Sequence, residues 1–190
     1  MGDHLILGKR YEYNNDFFDQ PLDLGFVKLC QVGELFCESG FQVDAHNQTV
    51  YEISYIVTGK GTFITNGKEC QVSPNDIYIN RLNQTHAIRA DCGVPLRYCY
   101  LAFTFCDEKV DASLRPLQEF YSKGTEEITR DNKDLLLLFT DIFRELQTQD
   151  RYYLKVVENC VSRIIIDSCR LFQRDPRTRT FPVFSEHGLG

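Results

Sequence analysis

The sequence predicts a mainly β fold with a helical addition: a β-sandwich or barrel in the first half, followed by an antiparallel helical hairpin. Three observations carry this expectation. From Gly25 to about Cys106, short runs rich in Val, Ile, Tyr, Phe and Thr follow one another with turn signals between them. Between GTFIT and KECQV stands Asn66-Gly67, the pair a type I′ hairpin favours because both positions take positive φ. Beyond Gly124 the apolar period changes from strand alternation to spacings of three and four.

The predicted strands are GFVKLCQVG, the ELFC run, VYEISYIVT, GTFIT, KECQV, NDIYIN, THAIRA and LRYCYLAFTF. Many short strands with frequent turns mean a sandwich or barrel. A polar connection after Cys106 leads to a short helix near Ser113 to Ser122. Leu135, Leu138, Phe139, Ile142, Phe143 and Leu146 then line one face of a first long helix. In a second, from about Arg151 to Gln173, Leu154, Val157, Val161, Ile164, Ile165 and Phe172 do the same, while Val156, Cys160, Ile166 and Cys169 widen the stripe. The intervening QTQD is short, so the two helices should lie antiparallel. The arc is wider than one neighbour requires, and the excess is expected to be a homodimer surface formed by Leu154, Val157, Val161, Ile164, Ile165 and Phe172. The expected organisation is an N-terminal arm over 1–25, a barrel over 26–110, a helical dimerisation segment over 111–173 and a linker over 174–190. The linker, RDPRTRTFPVFSEHGLG, has no periodicity.

Composition narrows the function classes. The chain has 190 residues, of which 43% are hydrophobic, enough to build a core. It has no apolar run of about 18 residues, and MGDHLILGKRYEY lacks the charged start, long apolar run and small-residue cleavage site of a signal peptide. A cytoplasmic location and no membrane partner are therefore expected. The eight cysteines form no CxxC pair and mostly sit in apolar runs, so they read as reduced core thiols. A formal charge of −6 argues against this chain gripping nucleic acid itself, since phosphate contacts need clustered Lys and Arg. Neither a Gly-x-Ser-x-Gly elbow nor a phosphate-cradling loop occurs, and Glu126-Glu127 reads as solvated. The chain is not expected to be an enzyme.

The stretch HNQTVYEISYIVTGKG holds the candidate chemistry. On a strand continuous from Ala45, alternation puts His46, Gln48, Glu52 and Ser54 on one face, and Tyr51, Ile53, Tyr55 and Val57 on the other. This spacing resembles the first cupin motif: His46 in the first His position, Gln48 in place of the second His, Glu52 as the Glu and Gly59 as the closing Gly. The second motif maps onto Asn75, Arg81, Asn83 and His86, with Asn at both Gly positions and Arg at the Pro. Asn tolerates a left-handed backbone, so the turns can persist. The resemblance implies a cupin-like double-stranded β-helix, a jelly-roll barrel, and a metal set of His46, Glu52 and His86. Gln48 is a poor transition-metal ligand, so no cofactor is required and a divalent metal is the weaker expectation.

A second resemblance covers most of the chain. The run from Val50 to Phe103 is similar to the N-terminal sensing domain of AraC-family transcription regulators, with its Tyr51-Glu52 strand start, the Asn66-Gly67 hairpin, the Asn75-Asp76 step, a His at the next turn and an aromatic strand. The family implies a small-molecule effector, a sugar among the options, held in the barrel. It also implies a homodimer through the two helices, and DNA contacts made only by a C-terminal domain beyond the linker. The expected ligand contacts are His46, Gln48, Glu52, Ser54, His86, Tyr98 and Tyr100. Tyr51, Tyr55, Arg89 and Arg97 are further aromatic faces and donors of the sort that sugars or small carboxylates use. The alternative function is a small metal-dependent cupin enzyme of isomerase or dioxygenase type.

Overall fold

Strand alternation and turn chemistry lay out two facing sheets. The computed structural model describes residues 14–125, 127–131 and 135–173, so the expected linker 174–190, residues 1–13 of the expected arm and Glu126 lie outside the described residues. The strands are β1 (Asn14–Asp16), β2 (Leu22–Asp23), β3 (Val27–Cys37), β4 (Gln42–Asn47), β5 (Tyr51–Thr58), β6 (Gly61–Thr65), β7 (Lys68–Val72), β8 (Asp76–Asn80), β9 (Thr85–Ala90), β10 (Leu96–Phe105) and β11 (Ile128–Arg130). The helices are α1 (Arg115–Lys123), α2 (Leu135–Thr148) and α3 (Tyr153–Gln173). One sheet runs β1-β3-β10-β5-β8-β11 with β2 beside β3, and the other runs β4-β9-β6-β7. From β3 to β10 this is the strand order of a jelly roll made of two Greek keys. The fold is a cupin-like β barrel followed by a helical pair.

The larger sheet is buried on both faces, which is why its strands read as nearly continuous apolar runs. Tyr51, Ile53, Tyr55 and Val57 of β5, with Ile77 and Ile79 of β8 and Leu101 and Phe103 of β10, form a core with Phe139, Phe143, Val161 and Ile165 of the helices. The opposite parity, including Ile56, Tyr78 and Leu96, meets Phe63 and Ile88 of the second sheet. All eight cysteines are free, and five of them are buried.

Special backbone positions fall where the motifs put them. Asn66 and Gly67 have φ of 51° and 80°, as the hairpin between β6 and β7 requires. Asn75 and Asn83, standing at the two glycine positions of the second cupin motif, have φ of 71° and 65°, so asparagine supplies the left-handed turns there. Gly59 is irreplaceable for a second reason besides its φ of 87°: a Cβ would lie 1.8 Å from the Pro95 carbonyl oxygen.

Two expectations are corrected. The strand is not continuous from Ala45 to Ile56, because β4 and β5 are separated and belong to different sheets. The expected dimer face is also largely spent within the chain. Val157, Val161, Ile164 and Ile165 are fully buried in the helix-facing core, and Phe172 packs on Phe120 at 5.6 Å between ring centroids. The stripe on α3 is wide because the helix meets α2, α1 and β11 rather than one neighbour. Each such side chain contributes about 1.5–3 kcal/mol by its burial. Of the six, Leu154 stays open, at 43% exposure.

Candidate ligand-binding site

A cavity of about 200 Å³ lies between the sheets. Gln31 and Leu35 come from β3, Glu52 from β5, and Tyr98 and Tyr100 from β10; Val43 and His46 of β4 and His86 and Ile88 of β9 face them. His46 and Glu52 thus meet across the barrel rather than along one strand. Tyr98 and Tyr100 share a face of β10 by alternation, with ring centroids 6.2 Å apart.

Glu52 is the centre of a hydrogen-bonded network. Its Oε1 accepts from Asn80 Nδ2 at 3.1 Å and from Ser54 Oγ at 3.2 Å. Asn80 pairs with Glu52 in the β5–β8 register. Its Oδ1 accepts from Thr65 Oγ1 at 3.2 Å, and that hydroxyl lies 2.9 Å from the Tyr78 hydroxyl. The network therefore spans both sheets. Burial raises the Glu52 pKa, opposed by the bonds from Asn80 and Ser54, the charge of His46 and a bond from Gln48.

The two imidazoles address each other. His46 Nε2 and His86 Nε2 are 2.7 Å apart, so one proton must lie between them. His46 Nδ1 sits 3.0 Å from the Asp44 carbonyl oxygen and must donate to it, since a carbonyl can only accept. The neutral pair then has His86 donating from Nε2 to His46. His86 Nδ1 is buried and, among the described residues, has no hydrogen-bond partner. Burial, and then the neighbouring His46, lower the His86 pKa to about 4.

Of the expected ligand contacts, His46, Glu52, His86, Tyr98 and Tyr100 line the cavity, whereas Gln48 and Ser54 do not. Both are buried and hydrogen-bond the Glu52 carboxyl. The other expected aromatic faces and donors lie elsewhere. Tyr51 and Tyr55 face the helices, Arg89 pairs with Glu69 at 3.2 Å, and Arg97 is buried against Glu34. Asn80 was legible in NDIYIN, where Ile77 and Ile79 claim the helix face and leave Tyr78 and Asn80 to the other. Gln31 and Asn14 had no such signal. The Asn14 Oδ1 of β1 accepts from Gln31 Nε2 at 2.9 Å and from the Tyr100 hydroxyl at 2.8 Å, which ties an edge strand to the cavity wall.

The donor set does not fit a resident divalent metal. The Nε2 atoms are turned on each other, one Glu52 oxygen is taken by two donors, and an amide stands where the cupin pattern has its second His. Among the described residues no group of three or more His, Cys, Asp and Glu is arranged to hold a metal ion.

Comparison with known proteins finds partial likenesses and one family. Similar solved structures include the cupin domain of Cnp3 from Schizosaccharomyces pombe, with 13% identity, TM-score 0.38, and coverage of 43% of this chain and 66% of that one. Another is a predicted oxalate decarboxylase from Thermotoga maritima, with 18% identity, TM-score 0.38, and coverage of 49% and 91%. A third is a DMSP lyase from Ruegeria pomeroyi, with 20% identity, TM-score 0.35, and coverage of 41% and 38%. No curated protein matches the chain. The family described as AraC-like ligand binding domain matches residues 32–158, more than half of the sequence. With the jelly-roll order, the polar cavity and the helical pair in place, the chain belongs to the AraC-like ligand binding domain family.

Proposed function

We propose that this domain senses a small polar molecule in the inter-sheet cavity, pairs with a second copy through its helical hairpin, and controls a separate C-terminal DNA-binding domain from the cytoplasm. The observation that carries the sensing role is the convergence of Glu52, His46, His86, Tyr98 and Tyr100 from both sheets on one cavity. A pocket with few convergent polar groups among aliphatic ones fixes a ligand's orientation. Its volume of about 200 Å³ suits a single small ring such as a sugar. The acidic chain, at −6, leaves DNA contact to another segment. The lack of fit to a metal weighs against the alternative of a metal-dependent isomerase or dioxygenase.

Signalling needs a ligand that binds two states of the domain unequally. Asn14 supplies a route, since a ligand that takes the Tyr100 hydroxyl or the Gln31 amide competes with the bonds that hold β1. Pairing falls to apolar side chains still open on the hairpin: Leu137, Tyr152, Leu154 and Val156. A thermal-shift screen of small metabolites, followed by calorimetry on wild type and Glu52→Gln, tests the sensing role. Stabilisation that the substitution weakens at least tenfold is expected. Hits indifferent to changes at both Glu52 and His46 would place recognition elsewhere and defeat the reading.

A further inference from the structure

The charge and aromatic layout of the cavity point to a definite ligand class. We propose that it takes a small organic cation with one primary ammonium group, held by the Glu52 carboxylate against the Tyr98 and Tyr100 rings. The inference rests on the barrel being the sensing site.

Among the described residues, no Lys or Arg lines the cavity. The arginines that flank its strands are committed outside it, Arg97 to Glu34 and Arg89 to Glu69. The imidazoles do not replace them, because they share one proton across 2.7 Å, which keeps at least one ring neutral. Among the described residues, an anionic ligand would meet a carboxyl with no Lys or Arg beside it, and like charges so placed are costly.

A cation meets the reverse. Glu52 has amide and hydroxyl donors but, among the described residues, no ion pair, while an ionised carboxylate has about four acceptor sites. An ammonium carries three donors and would complete that set. Tyr98 and Tyr100 present two rings tilted by 55° on the same strand face, and a cation within about 6 Å of a ring centroid is attracted to its π face. Glu52 also lies close enough for its charge to act on both hydroxyls. Burial raises the carboxyl's pKa, and an arriving ammonium favours the ionised form again. A sugar can hydrogen-bond the same carboxyl and pack its C–H face on a ring, but it lacks the charge that the carboxylate and the ring faces together attract.

The test is a matched probe set measured by calorimetry and by NMR of the Tyr98 and Tyr100 ring protons: benzylamine, benzyl alcohol, benzoate and the pentose xylose. Benzylamine is expected to shift both tyrosines and to bind at least tenfold more tightly than benzyl alcohol or xylose, with benzoate undetectable. Glu52→Gln should bring benzylamine down to the level of the alcohol, while Glu69→Gln, at the exposed pair, should leave it unchanged. Should Glu52→Gln fail to fold, the ranking of the four probes at the tyrosines of the wild type decides alone. If the alcohol, benzoate or xylose binds through the same tyrosines as tightly as benzylamine, the cation class is overturned and the sensing cavity stands. If none of the four disturbs the tyrosines, both are overturned.

Discussion

His86→Gln should change how stability depends on pH more than it changes stability itself. His86 is 3% exposed, and burial lowers its pKa from 6.5 to about 4, so the folded protein prefers the neutral ring while the unfolded chain protonates near pH 6.5. Between those values the unfolded state binds more protons, and stability must rise with pH. The contribution is fully present above the unfolded pKa and is lost as pH falls through the folded one. The whole shift is worth about 3 kcal/mol at 1.36 kcal/mol per unit, and the part expressed between pH 7.5 and pH 5 is about 2 kcal/mol. Glutamine does not titrate, so the variant lacks this loss. Urea titrations of wild type and His86→Gln at both pH values give the double difference directly, free of any uniform cost of removing the ring. Wild type should lose about 2 kcal/mol more than the variant on acidification, or roughly 4–8 °C of Tm for a domain of this size. Parallel pH profiles would refute the neutral, desolvated His86.

The packing supplies further expectations. Ile165→Ala, in the helix-facing core, should cost about 2–5 kcal/mol in urea unfolding, whereas Leu154→Ala, at 43% exposure, should cost well under about 1 kcal/mol. Leu154→Glu with Val156→Glu should leave folding intact and shift sedimentation toward a monomer; an unchanged dimer would remove the hairpin from the interface. Gly59→Ala combines a left-handed backbone with a Cβ 1.8 Å from the Pro95 oxygen and should cost more than the ~1–2 kcal/mol of the backbone term alone, while Asn83→Gly should be nearly neutral by the same thermal assay. Arg97→Ala leaves Glu34 buried, with its side chain 3% exposed, and should lose about 3–5 kcal/mol at neutral pH.

The sequence by itself determined the local vocabulary of this protein. Alternation fixed most of the strands and the helix-facing parity of Tyr51, Ile53, Tyr55 and Val57. Asn66-Gly67 specified its hairpin, and Asn75 and Asn83 could be read as glycine substitutes because positive φ is a property of single residues. Three-and-four spacing gave α2 and α3 for the same reason. What neighbours a face meets was decided only by the tertiary structure, because periodicity reports that a face is apolar and not what covers it. The width of the stripe on α3 suggests a dimer seam, yet Val161 and Ile165 pack within their own chain. Alternation places His46 and Glu52 along one strand, yet they converge because the chain crosses between sheets and the barrel closes. That closure also set the chemistry of the cavity: it turned His46 onto His86, placed Asn80 and Ser54 on the Glu52 carboxyl, and sent Arg97 to the opposite face. Such pairings join residues far apart in sequence, and strand register and sheet closure are what bring them within hydrogen-bond reach.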